Sequence, residues 1–228
     1  MKSVLVWDFP TRLFHWLLVV AIAAAYISGD TGGNWLVWHG RIGLFIVGLI
    51  SFRLVWGVAG STYARFGTFV RGPATIKAYL AGKWHGLGHN PLGALSVLGL
   101  LGLVALQAGT GLFAQNDDTG FAGPFYALVS GPQGELATRL HHKVLDVLLV
   151  LIGLHLLAIL FYTHVRKDKL LKPMLTGRKE VAAGESARGG GPLAFIVAVL
   201  VAGGITFAAS GIWIDKPPPP PPAATPAW

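Results

Sequence analysis

Five long apolar runs separated by short polar gaps constrain this chain more than any other feature. They cover about Leu13–Ser28, Trp35–Val58, Leu92–Phe113, Leu140–Tyr162 and Pro192–Ile214. Roughly 20 residues rising 1.5 Å each cross the ~30 Å hydrocarbon layer of a bilayer. Most of these runs are that long, and the first is too if its helix begins near Pro10. Only 12% of the 228 residues are charged, where a soluble domain would carry about a quarter. The expected fold is therefore an all-α membrane protein: a four-helix transmembrane bundle with one appended C-terminal transmembrane helix. The lipid bilayer is its first partner.

The formal charge of +8 could suggest nucleic acid, but the basic residues lie in the gaps between the apolar runs. They read as topology signals, and no nucleic-acid partner is expected. Lys2 and Arg12 precede the first run. Arg65, Arg71, Lys77 and Lys83 fill the second gap, and Arg166, Lys167, Lys169, Lys172, Arg178 and Lys179 follow the fourth run. The first and third gaps are poor in Lys and Arg. The positive-inside rule then puts the N-terminus, the second gap and the stretch after the fourth run in the cytoplasm of a bacterial inner membrane, and the C-terminal tail in the periplasm. "AIAAAYISG" could be a signal-peptide cleavage region, but Trp7, Asp8 and Pro10 make an odd n-region, so the first run reads as a retained helix. Asn90 and Pro91 predict a capped start for the third helix. Organisation follows as 1–180 for the four-helix domain, 181–191 for a flexible glycine-rich linker, 192–214 for the fifth helix and 215–228 for an extended proline-rich tail.

With no cysteine in the chain, disulfides, thiolate metal sites and covalent haem attachment through Cys-x-x-Cys-His are excluded. Eight histidines remain, and ionisable groups inside a span are costly and usually functional. His15, His39 and His155 lie within runs, and His141 lies at a run's end. On a helix, the fourteen steps from His141 to His155 leave them about 40° apart and about 21 Å apart in rise. His142 falls about 220° from His155, on nearly the opposite face. Alternating helix directions put His15 level with His155, and His39 level with His141. Two level pairs suit two stacked haems, each with bis-imidazole ligation. Val144, Leu145, Leu148, Leu151 and Ile152 make the intervening stripe apolar, and Gly43 lies one turn beyond His39. Arg12 and Arg41 flank the ligand candidates, and a guanidinium pairs well with a haem propionate.

Each histidine alone also reads as a polar anchor between helices. That ordinary reading holds for His142, His85 and His164. His89, in "GHNP", helps to start the third helix or touches a haem edge or quinone. Arg53 should snorkel to the cytoplasmic interface, with a propionate or quinone role as the alternative.

The stretches "VWDFPTRLFHW", "VWHGRIGLFIVGLISFRLVWG", "GHNPLGAL", "LHHKVLDVLLVLIGLHL" and "MLTGRK" resemble the bacterial cytochrome b561 family and the b-type cytochrome subunits of nickel–iron hydrogenases. The resemblance covers about Val4–Glu180. It implies a four-helix membrane protein with two haem b groups that exchanges electrons with the quinone pool, and its ligand pattern falls on His15, His39, His141 and His155. Relatives commonly carry Glu where His142 stands, so ligation by His142 stays open.

The leading expectation is a dihaem carrier moving electrons between membrane quinone and a periplasmic partner, such as a cytochrome c or an oxidoreductase subunit. A second is a haem-bearing anchor for a periplasmic oxidoreductase such as a hydrogenase. The third is a haem-free transporter using buried histidines, which the lack of acidic pathway residues other than Asp146 disfavours.

Overall fold

Asp8 starts the first helix. In the computed structural model, which describes residues 1–84 and 86–214, its Oδ1 accepts from the Thr11 amide at 2.8 Å, and Pro10 sits in the first turn. The helix α1 runs Phe9–Thr31, so the first run is long enough to span. Gly32 ends it at φ 67°, and α2 follows at Trp35–Ala59. The second gap folds into two short helices, α3 (Phe66–Phe69) and α4 (Pro73–Leu80). At the start of α5 (Pro91–Gly111), Asn90 Oδ1 accepts from the Gly93 amide at 2.7 Å, as its sequence predicts.

The fourth run extends further than its apolar residues suggest. Helix α6 covers Gly131–His164, 34 residues, or about 51 Å. Ser130 and Gln133 cap it reciprocally. Exposed pairs Glu135–Arg139 and Lys143–Asp146 line its first turns, so these turns project beyond the hydrocarbon and the apolar part begins near Val144. His141 therefore lies at the polar edge of the span but ten residues inside the helix. Beyond α6 come α7 (Leu171–Thr176) and α8 (Pro192–Ala209). The expected tail 215–228 and His85 lie outside the described residues.

Helix α2 is the centre of the bundle. It packs against α1, α5 and α8, while α6 packs against α5. Phe14, Ala21, Ile46, Leu49, Ile50, Leu101, Val104 and Leu148 form the shared core of α1, α2, α5 and α6. The predicted α6 stripe faces inward: Val144 and Leu148 are buried and Ile152 packs on the core. Val20, Val150 and Leu200 point outward, each about two-thirds exposed. An outer surface this apolar would aggregate in water and suits acyl chains. Among the described residues five helices are long and apolar enough to cross a membrane, and the chain is a multi-pass membrane protein.

The fifth helix lies along α2 and does not hang free. Phe195 meets Phe52 and Trp56 edge-on, and Ala198 is fully buried. Gly48 admits Thr206, whose Oγ1 would stand 2.6 Å from any Cβ there. Read from its glycines as a flexible joint, the stretch before α8 is held by hydrogen bonds. The Ala187 amide donates to Leu5 O at 2.7 Å and the Thr62 amide to Arg188 O at 2.8 Å.

Short strands tie the bundle's ends together. The strand β1 (Lys2–Leu5) precedes α1, the hairpin β2 (Gln115–Asn116) and β3 (Phe121–Ala122) lies between α5 and α6, and β4 (Arg178–Val181) follows α7. β1 pairs antiparallel with β4, Lys2 opposite Val181. Tyr79 and Tyr162 join their hydroxyls. The N-terminus, the second gap and the stretch after α6 thus share one face, where most Lys and Arg lie. Gly211 against Pro124, and Trp213 near Phe125, place the end of α8 with the α5–α6 connection on the opposite face.

Candidate functional site

His39, one turn into α2, and His141, on α6, face each other with ring centroids 5.9 Å apart and planes at 85°. Each ring is oriented from behind. His39 Nδ1 lies 2.8 Å from Ala25 O, and His141 Nδ1 lies 2.9 Å from Gln107 O. A carbonyl only accepts, so both Nδ1 atoms carry the proton and each Nε2 presents a lone pair. At His141 the Gln107 side-chain amide, 3.1 Å from Nε2, donates to that lone pair. Gln107 on α5 is thus part of the site, although its single polar side chain in an apolar run gave no functional signal in the sequence.

Two glycines let the rings sit this close. A Cβ at Gly29 would stand 2.9 Å from His39 Nδ1, and one at Gly111 would stand 2.9 Å from His141 Cε1. Phe121, on the hairpin between α5 and α6, presses its ring edge onto Gly40 beside His39. A Cβ at Gly43 would meet nothing within 4 Å.

His15 and His155 occupy the other end of the same interior. His15 adjoins the core residue Phe14, and His155 follows the buried stripe of α6. They lie within electrostatic reach of one another. His15 Nδ1 is buried without a hydrogen-bond partner among the described residues. Its ring meets Trp16 edge-on at 5.0 Å. Unlike the His39/His141 pair, this pair has no carbonyl fixing either tautomer among the described residues.

Arg12 donates to Leu175 O, and Trp16 Nε1 donates to Met174 O at 3.3 Å, so α7 is fastened to α1 beside His15. Arg12 Nε is buried and has no partner among the described residues. Gly177, at φ 82°, turns the chain so that its carbonyl receives the Val6 and Trp7 amides, which gives the "MLTGRK" stretch a structural role. Arg41 is exposed, its guanidinium carbon 5.0 Å over Trp38. His142 and His164 point outward.

Arg53 does not snorkel. It is 3% exposed, its guanidinium lies 4.7 Å from the centre of the Phe66 ring, and Nη1 has no partner among the described residues. The second gap folds over it, a covering that a linear reading of the helix could not include. His89 packs between Trp7 and Phe69, at 4.5 and 4.6 Å. Burial first, then the neighbouring Arg53, push its pKa down to about 3, so it is neutral at physiological pH.

The donor set fits haem. The two ring centroids are 5.9 Å apart, close enough for both imidazoles to reach one metal ion through bonds of about 2 Å. A bond from Nδ1–H to a carbonyl behind the ring is a usual means of orienting a ligating imidazole. Among the described residues no cluster of three or more His, Asp or Glu converges on one point. Paired imidazoles suit an iron whose other four ligands come from porphyrin. His39 and His141 would hold one such group, and His15 and His155 a second.

The family described as prokaryotic cytochrome b561 matches residues 6–177. Two curated proteins, each named "Probable Ni/Fe-hydrogenase 1 B-type cytochrome subunit", from Escherichia coli strain K12 and from Escherichia coli O157:H7, are each 22% identical to it. The match covers 54% of this chain and 66% of theirs, so the chain spans just under two-thirds of their length. No solved structure matches it.

Proposed function

The chain belongs to the prokaryotic cytochrome b561 family, and from that premise we propose that it carries electrons through two bis-histidine haem b groups, between membrane quinone and a periplasmic partner. The single observation that carries this reading is the opposed His39/His141 pair with both Nδ1 protons committed to carbonyls. Haem held by paired imidazoles would supply a one-electron couple, and ligation by two histidines favours electron transfer over oxygen chemistry.

The protein's own residues do the rest. Ala25 and Gln107 carbonyls fix the imidazole orientations, and Val144, Leu148 and Ile152 keep water from the space between the two levels. Arg12, near His15, and Arg41, near His39, supply cations for propionates. The basic face is cytoplasmic by the positive-inside rule, which places the N-terminus inside, the His15/His155 level near the cytoplasmic leaflet, and the end of α8 in the periplasm of a bacterial inner membrane. The test is a reduced-minus-oxidised spectrum of purified protein, first with dithionite and then with a short-chain benzoquinol. Haem b bands appearing with both reductants support the reading; a colourless protein, or one that no quinol reduces, overturns it.

A narrower reading, favoured by the names of the Escherichia coli relatives, makes the chain the membrane subunit of a periplasmic oxidoreductase such as a hydrogenase. Stable co-purification with a metalloenzyme that reduces the haems supports it. Rapid reduction of a soluble cytochrome c by the isolated chain argues against it.

A further inference from the structure

Helix α6 ends in a turn that carries more positive charge than its own acidic residue can balance. Arg166, Lys167 and Lys169 lie just beyond His164, and all three are exposed. Asp168, the acidic residue among them, is already engaged: Lys179 Nζ lies 2.9 Å from its Oδ1. The three exposed cations make no ion pair among the described residues. Backbone bonds hold the turn in one shape. The Arg166 amide donates to Phe161 O at 3.2 Å, and the Asp168 amide donates to Tyr162 O at 3.0 Å. Lys167 stands in this turn at φ 57°, the one non-glycine residue at positive φ among the described residues. A Cβ is disfavoured in that conformation, and glycine is the usual residue at such a helix end. Membrane topology asks for positive charge in this stretch, but not for a lysine at that position. Strained residues of this kind gather at binding sites.

The surroundings set the depth of the turn. Phe161, Val165, Leu171 and Leu175 are exposed apolar side chains on either side of the three cations. Tyr162 joins its hydroxyl to that of Tyr79, whose ring lies 5.8 Å from Trp84. Tyr and Trp collect where hydrocarbon meets head groups. Arg166 lies within electrostatic reach of the Tyr79 hydroxyl. We propose that Arg166, Lys167 and Lys169 bind the phosphate of an anionic phospholipid in the leaflet they face. The phosphodiester supplies the negative charge that the turn lacks. A guanidinium and two ammonium groups suit its oxygens, and clustered cations beside a span attract acidic lipid. The neighbouring apolar side chains receive the start of the acyl chains. A lipid seated there ties the end of α6 to α7, which is itself fastened to α1 by Arg12 and Trp16. The site needs only the membrane-spanning fold, so it stands or falls apart from the haem assignment.

The experiment titrates the full chain in a zwitterionic detergent with phosphatidylglycerol or phosphatidylcholine, read by native mass spectrometry, with thermal unfolding alongside. Phosphatidylglycerol is expected to bind about tenfold more tightly or better. One cation beside an acidic head group is worth roughly a fivefold change in affinity. Arg166→Gln and Lys169→Gln should each weaken phosphatidylglycerol by about that factor and leave phosphatidylcholine unchanged. Arg65→Gln, an equal loss of charge elsewhere on the same face, should weaken neither. Lys167→Gly separates the site from the scaffold, because glycine suits the left-handed backbone. Its unfolding temperature in lipid-free detergent should hold or rise, while phosphatidylglycerol binding falls roughly fivefold. Excess inorganic phosphate at fixed ionic strength should leave the lipid bound. Equal binding of the two lipids by the wild type would overturn the site. So would a loss in Arg65→Gln as large as that in Lys167→Gly, or displacement of the lipid by inorganic phosphate.

Discussion

Replacing Gly29 by Ala separates the stability of the bundle from the integrity of its His39/His141 level. Gly29 lies in the last turns of α1 with ordinary helical backbone, so Ala is accepted there and its better helix propensity contributes about 1 kcal/mol. Against this, the new Cβ would stand 2.9 Å from His39 Nδ1 and 3.1 Å from Cε1. Close-packed carbon contacts sit at about 3.5–4.0 Å, so the ring must retreat by more than half an ångström. It cannot do so and keep its 2.8 Å bond to Ala25 O, a bond worth about 1 kcal/mol. Overpacking of this kind costs typically 1–3 kcal/mol. The propensity gain offsets only part of this cost, and the remaining loss falls on the imidazole. Thermal unfolding should shift by only a few degrees, while redox titration of the two proposed haem b groups should show one displaced in potential or missing and the other unmoved. Gly111→Ala, whose Cβ would meet His141 Cε1 at 2.9 Å, should damage the same haem. Two haems at wild-type occupancy and potential in both variants would refute the argument that these glycines hold the ligands in place.

Three further outcomes follow from the same geometry. Asp8→Ala removes both the α1 cap and the acceptor for Trp56 Nε1 at 3.0 Å; a loss of about 2 kcal/mol is expected in detergent unfolding. Gly48→Leu drives a side chain into Thr206 and should loosen α8, read as faster proteolysis within 182–191, with haem content unchanged because no proposed ligand lies on α8. Tyr79 has its pKa pushed up to about 12, by burial first and then by the Tyr162 hydroxyl. Its neutral form is favoured in the folded state, so this contribution is complete below pH 10 and is lost between about pH 10 and 12; Tyr162→Phe should bring the Tyr79 phenolate absorbance in at lower pH.

The bundle was legible in the sequence because lipid demands long uninterrupted apolar helices, and the cues were local: Pro10 and Asn90–Pro91 fix two helix starts at the observed positions. The inward stripe of α6 was equally legible, since periodicity alone selects Val144, Leu148 and Ile152. The polar beginning of α6 was not, because its residues are hydrophilic, though Ser130 and Gln133 carry a capping pattern that marks it. Long-range pairing was invisible for a different reason. Nothing local in Lys2–Leu5 announces β4, and nothing in "GESARGGG" announces that Leu5 and Thr62 will hold it. Arg53 was misplaced on the same ground: the segment that covers it lies further along the chain. Within the candidate site, histidine spacing selects His39 and His141, whose rings lie 5.9 Å apart, whereas Gln107, Gly29 and Gly111 become visible only when α1, α2, α5 and α6 are packed together.

The most direct test is a count of haem b per chain by pyridine haemochrome, on wild type and on His39→Ala, His141→Ala, His15→Ala and His155→Ala. Two haems in the wild type, falling to one in each variant, would match an arrangement in which imidazoles meet in level pairs. A single haem in the wild type, or a count of two that survives loss of His39 or His141, would contradict it.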